Sequence, residues 1–263
     1  MVVSRRLWTE EETKLALFIY FQLPFGQLHS GNPEICKLAS IIGRSNSSVA
    51  MKLCNFASLD PKIIESGRSG LQGASAQDRR IWSEFSGNWT TMIEEAEQVW
   101  NAHEIDADDD RSMLKEKVST FVFEPYDGPS TAREITERRI GQDFFRRAVL
   151  ANFENTCCIT GIAEPALLNA SHIMPWGVDV KNRHNPANGL CLSATLDRAF
   201  DRGLVTFNDA GAVLVAKSLI THTSSATRSF FSQYQGAAIG RSTRFNPDAS
   251  FLTWHRNQIF VDR

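Results

Sequence analysis

CCITGIAEPALLNASHIMPWGVDVKNRHNPANGLCLSATLDRAFDRGLVTFN, Cys157 to Asn208, decides the reading of the C-terminal half. LLNASHI reads as a short strand ending in His172, MPWGVDVKNRHNP as a loop, NGLCLS as a second strand and ATLDRAFDRG as a short helix closed by Gly203. Ser171-His172, Asn188 and Asp197 follow in that order, and strand–loop–strand–helix predicts that His172 meets the start of the helix. Phosphodiester hydrolysis at neutral pH needs a base for water, a cation against growing negative charge, and a frame for both. Histidine suits the base because its ordinary pKa lies near 6.5. An aspartate with water and phosphate oxygens suits Mg²⁺. Asp197 and Asp201 are one helical turn apart and share a face. Asp201 either adds a ligand or stabilises the helix end, and the structural role is favoured.

Outward from this window, STAREITERRIGQDFFRRAVLANF predicts a helix with one packed and one basic face, in one piece or two around Gly141. Residues 131–263 hold 15 Lys/Arg against 11 Asp/Glu, and 13 of the 15 are Arg, whose planar fork suits phosphate oxygens. Arg146, Arg198 and Arg202 are the candidates there for DNA contact. GAVLVAKSLI reads as a strand, and Asp248 or Ser250 caps a last helix, where His255-Arg256 either touches phosphate or closes the fold.

Residues 1–104 read as all-helical. Thr9 with Glu12 forms a capping box for a helix with a stripe of Trp8, Leu15, Phe18, Ile19 and Gln22. Pro33 opens a second helix, Gly43 ends it, and Ser45 or Ser47 caps a third. Helix, Gly-containing turn and helix suit a helix-turn-helix, with Arg44, Ser47 and Lys52 at the DNA-facing end, and suit a purely structural bundle equally. Residues 61–88, rich in Gly, Ser and Arg, read as a loop that folds onto DNA or as a flexible excursion. From Ile81, IWSEFSGNWTTMIEEAEQVW returns to a helical pattern, with Trp82, Phe85, Trp89, Ile93, Ala96 and Trp100 at core spacing. Residues 105–130, with EIDADDDR and EPYDGPS, form an acidic linker.

The whole chain has 263 residues, 42% of them hydrophobic, enough for one large or two ordinary domains. A formal charge of −2 gives no nucleic-acid signature by itself. No apolar run approaches the roughly 20 residues that cross a bilayer, and MVVSRRLWTEEE has no secretory apolar region, so a cytoplasmic protein is expected. Five cysteines, an odd number with one adjacent pair, argue for reduced thiols. The absence of any C-x-x-C pair argues against structural zinc.

Two resemblances extend this reading. WTEEE, IIGR and SNSSVAMKL resemble a Myb/SANT-type or related helix-turn-helix domain, and with PFG, NPEI and NFASLDP they resemble the N-terminal region of bacterial HNH restriction endonucleases. The C-terminal half is similar to the HNH nuclease motif on the ββα-metal fold. The similarity rests on Arg139, Gly141, Gln142, Phe145, Arg146, Cys158, Thr160, Gly161, Ala170, His172, Ile173, Pro175, Trp176, Asn188, Gly189, Phe200, Asp201 and Gly203. It implies an α+β protein, a helical helix-turn-helix-like domain (1–104) joined by the linker (105–130) to an HNH nuclease domain (131–263). It implies His172 as general base, Asn188 as the brace of the inter-strand loop, and Asp197 as metal ligand where the family has its last histidine. Ser171 stands where a second ligand often does. The implied activity is Mg²⁺- or Mn²⁺-dependent cleavage of double-stranded DNA in restriction or defence, by a homodimer when both strands are cut. The departures at Ser171 and Asp197 imply the alternative, a non-catalytic DNA-binding protein with a degenerate HNH fold.

Overall fold

The computed structural model describes residues 6–85, 88–107, 132–221 and 223–262; most of the expected linker lies outside the described residues. Among the described residues seven α-helices come first: α1 (Glu10–Gln22), α2 (Pro33–Ile41), α3 (Asn46–Ala57), α4 (Pro61–Glu65), α5 (Ala76–Phe85), α6 (Trp89–Ala107) and α7 (Ala132–Asn152). The strands β1 (Leu168–His172) and β2 (Gly189–Ser193) are followed by α8 (Ala194–Asp201), then β3 (Val205–Phe207), β4 (Val213–Val215), α9 (Ser225–Ser232) and α10 (Ala249–Gln258). The strands form two antiparallel pairs, β1–β2 and β3–β4.

Helix α1 is the axis of the N-terminal part. Its capping box forms as expected, Thr9 accepting from the Glu12 amide and Glu12 accepting from the Thr9 amide. The expected single stripe does not hold, because Leu15 to Gln22 are buried without interruption. A helix apolar around its whole circumference belongs inside a bundle, and α3, α5, α6 and α7 pack around it. Asn32 caps α2, with Pro33 at its first position. Gly43 turns the chain at φ +62°, and Ser45 caps α3.

The stretch 61–88 is not the excursion its composition suggested. Asp60 caps α4, and Asp78 anchors α5 by pairing with Lys52 at 2.6 Å. Both partners are buried, so a long-range ion pair overrides the local Gly/Ser signal. Helix α7 runs unbroken through Gly141.

Two cores result, and α7 serves both. Phe144 and Ala148 join the N-terminal core, with Phe144 stacked on Phe18 at 5.1 Å. Phe145, Val149, Leu150 and Phe153 join the core beneath the strands. Arg244 and Phe245, near the end of the chain, also return to the N-terminal part. Arg244 donates to the Tyr20 carbonyl at 2.7 Å and lies 3.7 Å from Asp60, while Phe245 packs edge-on against Trp89. Strand β3, which no expected element covers, supplies the partner for β4. No described helix is long and apolar enough to cross a membrane.

Candidate functional site

The β1–β2 hairpin pairs His172 with Gly189, Ser171 with Leu190 and Asn169 with Leu192. Successive side chains on a strand point to opposite faces, so β1 divides its polar residues between its two sides. His172 faces α7, stacked on Phe145 with ring centroids 3.7 Å apart and planes 7° apart. Asn169 faces α8, where its Nδ2 donates to Asp197 Oδ2 at 2.7 Å. Ser171, two residues on from Asn169, shares that side. The structure therefore brings Asp197 to β1 but does not bring it beside His172, contrary to the pairing expected from element order.

The 16-residue connection between the strands, residues 173–188, is tied down by Asn188, which is fully buried. Its Oδ1 accepts from the Met174 amide at 2.8 Å, and its Nδ2 donates to the carbonyls of Met174 at 3.2 Å and Asn182 at 3.3 Å. The loop so held places the Arg183 carbonyl 2.9 Å from His172 Nε2. A carbonyl only accepts, so Nε2 carries the proton and Nδ1 keeps the lone pair. Burial pulls the His172 pKa down to about 4, only partly opposed by that hydrogen bond, and the ring is neutral at pH 7.

Beyond His172 the loop packs Trp176 edge-on to both His172 and His184. His184 is buried against Gly141 of α7, with Thr90 Oγ1 3.3 Å from its Nδ1. A Cβ at Gly141 would run into His184 Nε2, which accounts for glycine in mid-helix. Burial, with His172 and Arg183 nearby, lowers the His184 pKa to about 4.

On the α8 side Asp197 is half-buried. Ser171 is buried, and its Oγ has no hydrogen-bond partner. Asp201 is exposed at the end of α8, and partial desolvation with the Asp197 charge raises its carboxyl to about 6. Among the described residues no three His, Cys, Asp or Glu side chains gather at one point. On this face Asn169 meets Asp197, and Ser171 lies on the same side of β1. Asn169 was missed in the sequence; its only signal was the two-residue spacing from Ser171.

The candidate DNA contacts divide in two. Arg44 is engaged within the fold. Its guanidinium is buried against Glu12 at 2.7 Å, donates to the Leu7 carbonyl at 2.6 Å and lies over Trp8. Lys52 is engaged likewise, held by Asp78 with its ammonium over the same Trp8 ring. Ser47, Arg198 and Arg202 are exposed, and Arg146 is half-buried. His255 closes the fold. It stacks on Phe200 at 3.7 Å, and its Nδ1 lies 2.9 Å from Thr206 Oγ1.

The chain matches no curated protein. Residues 157–208, which span the buried cysteine pair, the hairpin with its braced loop, α8 and β3, match the HNH_2 family model, an HNH endonuclease domain.

Proposed function

We propose that the chain is a metal-dependent DNA endonuclease of the HNH type. The observation that carries this reading is the β1–loop–β2–α8 unit within the matched segment, with Asn188 bracing the loop and Asp197 meeting β1 through Asn169. A divalent cation fits the α8 face, where the orphaned Ser171 hydroxyl accompanies a carboxylate in an oxygen-only set suited to Mg²⁺ or Mn²⁺. Asp197 and Ser171 would hold the ion, which supplies charge neutralisation at the scissile phosphate when bound. His172 is the base, its tautomer fixed by the Arg183 carbonyl so that Nδ1 accepts the proton of water.

In this reading Ser47 and the exposed start of α3 meet double-stranded DNA as part of a helix-turn-helix-like domain within 1–104. Arg146, Arg198 and Arg202 hold phosphates near the 131–263 nuclease domain. The biological setting is restriction or defence in the cytoplasm, and a homodimer places one site on each strand.

Plasmid nicking or linearisation with Mg²⁺ or Mn²⁺ tests the activity. Cleavage is expected to disappear in Asp197→Ala and to fall at least 100-fold in His172→Ala, in line with the roughly 10²–10⁴-fold contribution of a positioned base. Undiminished cutting by both variants sinks the assignment.

The burial of His172 against Phe145, on the face away from Asp197, favours a second reading, a DNA-binding protein whose HNH unit is silent. It predicts a gel shift without cleavage under any divalent metal.

A further inference from the structure

We infer that Asn169 is a positioning residue for Asp197 whose amide oxygen completes the cation-binding face of α8; this rests on the metal-dependent reading above. A carboxylate only accepts, so the 2.7 Å contact fixes the amide orientation, with Nδ2 toward Asp197 Oδ2. Asn169 Oδ1 and Asp197 Oδ1 then stay free, since no hydrogen bond or ion pair among the described residues engages either. Two free oxygens on directly bonded partners, one from β1 and one from α8, form a preset pair of hard donors.

The second observation is independent of that contact. Ser171 is 3% exposed and its Oγ has no partner. It lies two residues beyond Asn169 on the same strand face. Buried hydroxyls without partners are rare in folded proteins. A ligand drawing on the hydroxyl, the amide oxygen and the carboxylate at once accounts for all three. The amide does for Asp197 what outer hydrogen bonds do for metal-binding carboxylates generally, holding the ligand in one orientation before the ion arrives.

The competing role is a plain staple between hairpin and helix, and metal affinity separates the two. Mn²⁺ titration of the full chain by calorimetry is the measurement, with thermal melting alongside. Asn169→Ala is expected to weaken Mn²⁺ binding by about 10–100-fold. Asn169→Asp restores an oxygen donor and is expected to bind within a few-fold of the unaltered chain. Without metal this variant melts lower, through repulsion from Asp197, and Mn²⁺ recovers the loss. A lowered melting temperature in Asn169→Ala with unchanged Mn²⁺ affinity makes Asn169 a staple only and overturns the inference. Should Asn169→Ala fail to fold, lost Mn²⁺ affinity in Asn169→Asp overturns it instead. An unaltered chain that binds no Mn²⁺ overturns both this inference and the metal-dependent reading. Asp197→Ala that loses Mn²⁺ while Asn169→Ala keeps it leaves that reading standing and removes Asn169 alone.

Discussion

The side-chain amide of Asn188 grips both backbone groups of Met174, accepting from its N–H at 2.8 Å and donating to its carbonyl at 3.2 Å. One buried side chain thereby imitates a strand neighbour for a residue that has just left β1. It holds the loop that carries the Arg183 carbonyl to His172. Asn188→Asp keeps the size and removes the donor, leaving the Met174 and Asn182 carbonyls short of a partner. The expected loss is about 1–3 kcal/mol. Urea unfolding measures it, and a change within experimental scatter contradicts the bracing role.

Gly141→Ala tests the contact between α7 and the loop. Alanine favours a helix interior by roughly 1 kcal/mol over glycine, so propensity alone predicts stabilisation. Here the new methyl meets His184, a ring confined by Trp176 and Thr90. Overpacking of this kind costs about 1–3 kcal/mol, so the expected sign is destabilising. A raised melting temperature shows that His184 can move aside.

Lys52 and Arg198 separate folding from DNA contact. Lys52→Ala leaves Asp78 as an unpaired buried charge, with an expected cost of about 3–5 kcal/mol. Arg198→Ala at an exposed position is expected to stay within about 0.5 kcal/mol in stability. Its effect falls on DNA, where losing one phosphate contact lowers the salt slope of binding by about 1. Gel shifts across a salt series check this, and an unchanged slope removes Arg198 from the DNA surface.

Acid stability follows from three histidines, His184 and His255 buried and His172 half-buried. His172, His184 and His255 are each lowered to about 4, with burial as the largest cause. Unfolded histidines titrate near 6.5, so between those values the unfolded chain binds more protons. Stability is therefore full above pH 6.5 and falls as the pH drops toward 4. Asp201 opposes this in part. Its folded pKa of about 6 stands above the ordinary 3.8, so the folded chain binds the extra proton in that window and gains stability as the pH falls. Three groups outweigh one, and a lower melting temperature at pH 5 than at pH 7.5 is expected. Asp201→Asn removes the opposing group and steepens the drop.

Local signals were legible in the sequence. The Thr9–Glu12 box, a serine cap on α3, the hairpin and the α8 helix all rest on neighbouring residues and are readable from them, and of Ser45 and Ser47 it is Ser45 that caps. Long-range partnerships were not. Arg44 and Lys52 looked available because Glu12 and Asp78 lie 32 and 26 positions away along the chain. Helix α5 hid in a Gly/Ser-rich stretch for the same reason. Strand β3 offers only VTF just after the end of α8, whereas the equally short β4 sits in the longer apolar run GAVLVAKSLI and was readable. Within the site, the residue types were readable but their sides were not. A strand's alternation assigns faces only once a neighbour is known, and the packing of α7 against one side of the hairpin sent His172 away from Asp197.

Phe144 and Phe145 are adjacent in sequence yet sit in different cores. A helix turns about 100° per residue, so the angular phase of α7 is fixed by both cores at once. Neither can loosen its grip without disturbing the other. The melting of the helical bundle and of the HNH unit is thus expected as a single calorimetric transition.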